Sequence, residues 1–229
     1  MERKERPILF SGPMVCAILQ GLKTQTRRIV KPQPREITVS GAHLEGLWTC
    51  KGSIEYRVTP RTAKNIAEAC PYGQPGDRLW VRERWDFRDW QWNKDRKVRI
   101  AYAADGEQVD RIAPLGWNAT VYGAERWRPS IHMPRWASRI TLEVVSVRAQ
   151  QLHDISEDDA RAEGFERMPS GRGYYEPVVG KGGVHVGMYH ATARAGFESL
   201  WKHINGPESW DANPWVWCVT FKRLEVSRG

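Results

Sequence analysis

The chain predicts an α+β fold: a small mixed β-barrel with short flanking helices and large insertions. Three observations carry that expectation. Apolar runs at strand period recur near residues 78–83, 139–148 and 214–223. Short segments at helical period lie between them, set apart by turns rich in Gly and Pro. Apolar residues make up 41% of the 229, and Trp alone counts 12, so the composition is that of a folded chain with a sizeable core. The expected organisation is one domain over 1–229 with insertions near 35–75, 85–129 and 165–192; two domains are the alternative that length leaves open.

The elements follow in order. Pro7–Phe10 reads as a short buried strand. Ser11 caps a helix over 13–20 that tolerates Pro13 in its first turn, and Gly21 ends it. Met14, Val15, Ile18 and Leu19 form its apolar stripe. Thr24–Val30 is extended until Pro32 and Pro34. Residues 35–70 are polar and mixed, with a short helix at Thr62–Ala69. The turn Pro71–Asp77 launches the strand at 78–83, where Leu79 and Val81 alternate with longer or polar side chains. Trp85, Trp90, Trp92, Trp117 and Trp127 punctuate a charged region whose best strand is Val98–Ala103.

In the strand Arg139–Arg148, Ile140, Leu142 and Val144 share one face before Val145 and Val147 take over. That phase change predicts a bulge or two-sided burial. Ser156 caps a short helix with Asp159 in the capping-box position, and Gly164 ends it. Residues 169–183 are rich in glycine and read as a mobile loop. Phe197, Leu200, Trp201 and Ile204 at i, i+3, i+4 and i+7 specify an amphipathic helix over 193–205, closed by Gly206 and Pro207. Trp215, Trp217, Val219 and Phe221 then form one face of a closing strand.

Charge and cysteine usage narrow the function classes. The net charge of +8 and pI near 9.5 favour an anionic partner such as RNA, DNA or a nucleotide. Cys16, Cys50, Cys70 and Cys218 lie far apart with no CxxC pair. No histidine spacing suits a metal, and no GxGxxG, Walker or zinc motif occurs, so neither metal nor cofactor is expected. The charged start lacks the apolar stretch of a signal peptide, and no run is long enough to span a membrane. A cytoplasmic location is the expectation; the oligomeric state is left open.

Gly21-Leu22-Lys23-Thr24-Gln25-Thr26-Arg27-Arg28 concentrates a lysine, two threonines and two arginines in eight residues. Positions three apart on a regular strand point opposite ways, so Lys23 and Thr26 converge only if Lys23 sits on the turn leaving the helix. Solvated surface is the alternative. Glu163 occupies the last turn of its helix, where the dipole disfavours a carboxylate, so it is either functional or exposed on a frayed turn. Glu83, in phase with Leu79 and Val81, either points into a pocket or joins Arg82 in rim ion pairs. His132, Arg135 and Trp136 share a loop with a base, a cation and an aromatic plate; the set suits nucleobase stacking, and plain packing is its alternative.

The stretch Gly21–Arg28 resembles the G-x-K-x-x-[ET]-x-R signature of ASCH domains, which have a PUA-like β-barrel. Pro75-Gly76-Asp77 before Leu79-Trp80-Val81, and Trp215–Phe221, resemble that family's turn into a barrel strand and its closing strand. The wider pattern, including Ser130–Arg139 and Asp154–Gly164, is similar to larger ASCH proteins of bacteriophages and prophages. Some small ASCH proteins are N4-acetylcytidine amidohydrolases. The resemblance therefore implies an amidohydrolase acting on an acylated or modified cytosine nucleoside or nucleotide, with Lys23 as proton acceptor, Thr26 as nucleophile and Glu163 as proton donor. It also brings a rival: a non-catalytic RNA- or DNA-binding module in which Lys23, Arg27 and Arg28 grip phosphate. The Trp-rich insertion, foreign to the small enzymes, is expected to place Trp136 and at least one of Trp85, Trp90 and Trp92 at the mouth of the Lys23 cleft.

Overall fold

Ile8 of the first strand, Glu5–Leu9 (β1), turns into a core shared with the first helix, Gly12–Leu19 (α1). The computed structural model describes residues 3–39, 42–50, 53–56, 66–90, 96–117, 126–175, 177–180, 183–186 and 189–224. Ser11 holds the extended backbone that opens α1, with Pro13 in the first turn where its missing N–H costs nothing. Val15, Cys16 and Ile18 pack inward, at the spacing of one helix face.

The remaining strands are Gln25–Ile29 (β2), Arg35–Val39 (β3), Ala42–Cys50 (β4), Ser53–Tyr56 (β5), Arg78–Arg82 (β6), Trp85–Trp90 (β7), Lys97–Tyr102 (β8), Gln108–Ile112 (β9) and Thr141–Gln151 (β10). Helix Glu157–Ala162 (α2) follows, then Glu166–Arg167 (β11), Tyr174–Tyr175 (β12), Pro177–Gly180 (β13), Gly183–Val186 (β14), helix Ala193–Asn205 (α3) and Trp215–Leu224 (β15). The helix expected at Thr62–Ala69 falls partly outside the described residues, of which 66–68 are helical.

The principal sheet has five strands in the order β1-β6-β10-β15-β2. β1 and β6 are parallel and the other pairs antiparallel. Leu79, Val81, Leu142, Val144, Val219 and Phe221 project from it onto Val15, Cys16 and Ile18 of α1. The phase change in β10 is a bulge: the register shifts between Val144 and Ser146 and leaves Val145 48% exposed.

The barrel expected from the sequence is not formed. Among the described residues no sheet closes on itself, and β1 and β2 remain the edges of an open mixed sheet within an α+β fold. The physical reason lies between those edges. Arg28 sends its guanidinium to the Leu9 carbonyl at 2.6 Å, and Phe10 packs beneath it. Between these edges a side-chain hydrogen bond, not a main-chain ladder, joins β1 to β2.

Two further cores lie beside the main one. Trp85, Phe87, Val98, Ile100 and Tyr102 from the β7-β8-β9 sheet pack on Met133 and Ala137. Leu152, Ile155, Phe165, Phe197, Trp201 and Trp210 join α2 to α3. The glycine-rich segment read as a loop over 169–183 turns at 169–172 but also supplies β12 and β13, which pair with β11 and β14, and Tyr174 bridges on to His190. Backbone pairing, which local composition does not reveal, converts the loop into ladders. No helix among the described residues is long and apolar enough to cross a membrane.

Candidate functional site

The turn after α1 fixes Lys23. Gly21 takes φ +78°, a conformation open to glycine, and the N–H groups of Leu22 and Lys23 both donate to the Ala17 carbonyl. The chain then runs antiparallel to the end of α2: Thr24 N–H donates to the Ala162 carbonyl, and Lys23 bridges Glu163. Ser156 caps α2 by accepting from the Asp159 N–H at 3.1 Å. Gly164, at φ +112°, lets the two segments touch, because a Cβ there would lie 3.2 Å from Ala17 Cβ and 3.4 Å from Lys23 Cβ.

Lys23 and Glu163 therefore meet although 140 residues separate them. Lys23 Nζ donates to Glu163 Oε2 at 2.6 Å and to the Glu163 carbonyl at 2.8 Å, with 1% and 4% of the two side chains exposed. Arg27 donates to the other carboxylate oxygen, Oε1, at 3.1 Å. Its second guanidinium nitrogen lies 2.9 Å from Asp159, which Arg148 holds at 2.6 Å from the other side. Burial pushes the Asp159 carboxyl up, but the Arg148 hydrogen bond and the charges of Arg27 and Arg148 outweigh it and hold the group below the usual aspartate value. Two cations on one carboxylate offset the unfavourable helix-dipole position of Glu163.

A cleft of about 420 Å³ opens beside this network. Thr26, Arg27, Arg28 and Ile29 all line it, and four consecutive strand residues can border one space only at the strand's open edge. Glu163 also lines it, while Lys23 is not on the wall and reaches the cleft through Glu163. Tyr72, Phe197, Trp201 and Trp217 line it as well. Thr26 pairs with Val219 across the ladder and Arg28 with Trp217. The Arg28 guanidinium lies 5.2 Å from the Phe10 ring centre and 6.0 Å from that of Tyr72, and Tyr72 meets Trp217 edge to face. A half-apolar cleft with a few convergent polar groups is the usual form of a small-molecule site.

The other candidates lie away from this cleft. Glu83 is buried but pairs with Arg139, which also holds Asp105 and Glu107, so it serves an ion network and not a pocket. Arg82 stacks on Trp80 at 4.6 Å. His132 is exposed in a 3-10 turn, and exposed Arg135 pairs with Glu5. Trp136 packs edge to face on Trp117 at 5.2 Å, and Trp85 is fully buried in the second core. Neither borders the cleft; the side chain of Trp90 and all of Trp92 fall outside the described residues. Cys218 is no nucleophile either, since burial pushes its thiol up to about 12.

The aromatic wall of the cleft is not marked as such in the sequence. Phe197, Leu200, Trp201 and Ile204 were legible as one helical stripe, but periodicity does not separate a core-facing stripe from one that faces a cleft. Asp159 was legible only as a capping residue. Among the described residues no group of three or more His, Cys, Asp or Glu side chains is arranged to hold a metal ion. No protein-family model, curated protein or solved structure matches this chain.

Proposed function

We propose that the cleft beside β2 hydrolyses the amide of an N4-acylated cytosine nucleoside or nucleotide. The observation that carries this reading is the buried contact between Lys23 Nζ and Glu163 Oε2, 2.6 Å, at a wall that also holds Thr26. Transfer of one proton along that hydrogen bond turns the ion pair into a neutral amine and a carboxylic acid. Those are the base and the acid that amide hydrolysis by a hydroxyl requires. The likeness of Gly21–Arg28 to the ASCH signature supports the same assignment and does not depend on whether the sheet closes.

In this mechanism Thr26 Oγ1 attacks the acyl carbonyl as its proton passes, by way of one water, to Lys23 behind the wall. The C–N bond breaks, Glu163 protonates the departing amine, and an acyl-Thr26 ester is left. Water then hydrolyses the ester, giving the carboxylic acid and restoring the threonine. Tyr72, half-buried on the cleft wall beside the buried Trp201 and Trp217, is the aromatic ring there most open to a pyrimidine. The test is conversion of N4-acetylcytidine, and of its 5′-monophosphate, to the deacetylated product and acetate, followed by chromatography. Thr26→Val and Lys23→Ala should each remove conversion. Absence of conversion by the unaltered protein on both compounds would overturn the reading.

A second reading is a non-catalytic RNA- or DNA-binding module, favoured by Arg28 and Lys31 on the same cleft in a chain of net charge +8. Affinity for long RNA that falls steeply with salt, without conversion of either compound, would select it.

A further inference from the structure

The cations around the cleft differ in what balances them. Lys23 has Glu163; Arg27 has Glu163 and Asp159; Arg148 has Asp159. Arg28 has no carboxylate partner among the described residues. Its guanidinium donates to one neutral acceptor, the Leu9 carbonyl at 2.6 Å, and its Nε is sealed from solvent without an acceptor. Burial lowers its pKa from the ordinary arginine value, and the charges of Tyr72 and the more distant Glu163 offset this only in part. The rings of Phe10 and Tyr72 face it and supply cation–π attraction, a weaker compensation than an anion. This group lines the cleft, and exposed Lys31 lines it too.

We propose that Arg28 is the receptor for a phosphate monoester on the cleft's ligand, so that the ligand is a nucleotide and not a nucleoside. This rests on the reading of the cleft as a cytosine site. A planar guanidinium presents paired N–H donors that match the oxygens of a phosphate or a carboxylate. Lys31 favours the phosphate, because a second cation suits a group that carries close to two charges near neutral pH. Glu163, the one carboxylate on the cleft wall among the described residues, has a cation on each oxygen and so opposes an incoming anion less than its bare charge would. Arg28 and Lys23 both lie within 6 Å of the centre of the Phe10 ring, at 5.2 and 5.9 Å. A phosphate at Arg28 therefore anchors one end of a ligand whose base reaches toward Thr26 and Glu163.

The experiment is calorimetric titration of the unaltered protein with cytidine, cytidine 5′-monophosphate and the 5′-carboxylate analogue of cytidine. The monophosphate should bind about tenfold or more tightly than cytidine, the scale of one charge-assisted hydrogen bond. Arg28→Gln should bring the two affinities together. The unaltered protein also provides a check that needs no variant: the nucleotide-to-nucleoside ratio should shrink below about pH 6, where the phosphate loses its second charge. Equal affinities for cytidine and its monophosphate, or a preference kept by Arg28→Gln, would overturn the proposal. Carboxylate binding as tight as the monophosphate would overturn the phosphate assignment. No turnover enters these titrations. A nucleotide preference without amide hydrolysis leaves this inference standing while the catalytic reading fails, and hydrolysis with no nucleotide preference does the reverse.

Discussion

Lys23 Nζ and Glu163 Oε2 form a 2.6 Å hydrogen-bonded pair between the end of a two-turn helix and the turn that follows α1. A buried carboxylate of this kind is held by its partners, and its partners are held by it. Glu163 receives Lys23 on one oxygen and Arg27 on the other, whereas Lys23 keeps a second acceptor in the Glu163 carbonyl.

Removing the carboxylate charge should therefore cost more than removing the lysine. Glu163→Gln leaves two buried cations facing a neutral amide, and breaking a buried pair in this way costs about 3–5 kcal/mol. Lys23→Met leaves the carboxylate with Arg27 and should cost about 1–3 kcal/mol. Urea unfolding of both variants measures the order. Equal costs, or a larger one for Lys23→Met, would mean that Arg27 contributes nothing to holding Glu163.

Gly196 makes a prediction against helix propensity. It sits in α3, where alanine is favoured over glycine by about 1 kcal/mol. A Cβ at this position would lie 2.7 Å from both Cδ1 and Cε1 of the buried Phe165 ring and 3.1 Å from His190 Cδ2. Overpacking of that kind costs about 1–3 kcal/mol, so Gly196→Ala should lower the thermal midpoint. Phe165→Leu in the same chain should recover part of the loss. A raised midpoint for Gly196→Ala alone would show that the ring yields without cost.

Acid sensitivity should trace to Asp159 and Asp77. Burial acts to raise both carboxyls. For Asp77 the Gln74 N–H, Arg6 and the Lys4 N–H outweigh it; for Asp159 Arg148 and Arg27 do so. A depressed value in the folded state means stability that is present above the ordinary aspartate value, near about 4, and lost as pH falls through the depressed one. Arg148→Met should accordingly lower stability at neutral pH, with the deficit narrowing below about pH 4 as Asp159 takes up its proton. A deficit unchanged across that range would assign Arg148 a packing role only.

Much of the framework was legible in the sequence, because local rules govern it. Ser11 and Ser156 precede helices, Gly164 follows one at positive φ, and the phase change after Val144 is the bulge it implied. Apolar alternation in 78–83 and 214–223 marked strands whose inward residues share one core. Gly21–Arg28 stood out by composition, and Lys23 does lie on the turn before β2.

What only the tertiary structure decided is which distant groups meet. The sheet stays open in place of a barrel, and Arg28 binds the Leu9 carbonyl between its two edges, a contact that no local pattern encodes. Glu83 and Glu163 looked alike in the sequence as carboxylates at odd positions. Glu83 went to Arg139 in an ion network, and Glu163 went to Lys23 and Arg27 at the wall of a cleft. Phe197 and Trp201 of the α3 stripe belong to a core and also line the cleft, a double placement that periodicity does not specify. Periodicity and capping act over a few residues, where the backbone fixes geometry. The pairing of charges across 140 residues is set by chain packing, and a linear pattern carries no record of it.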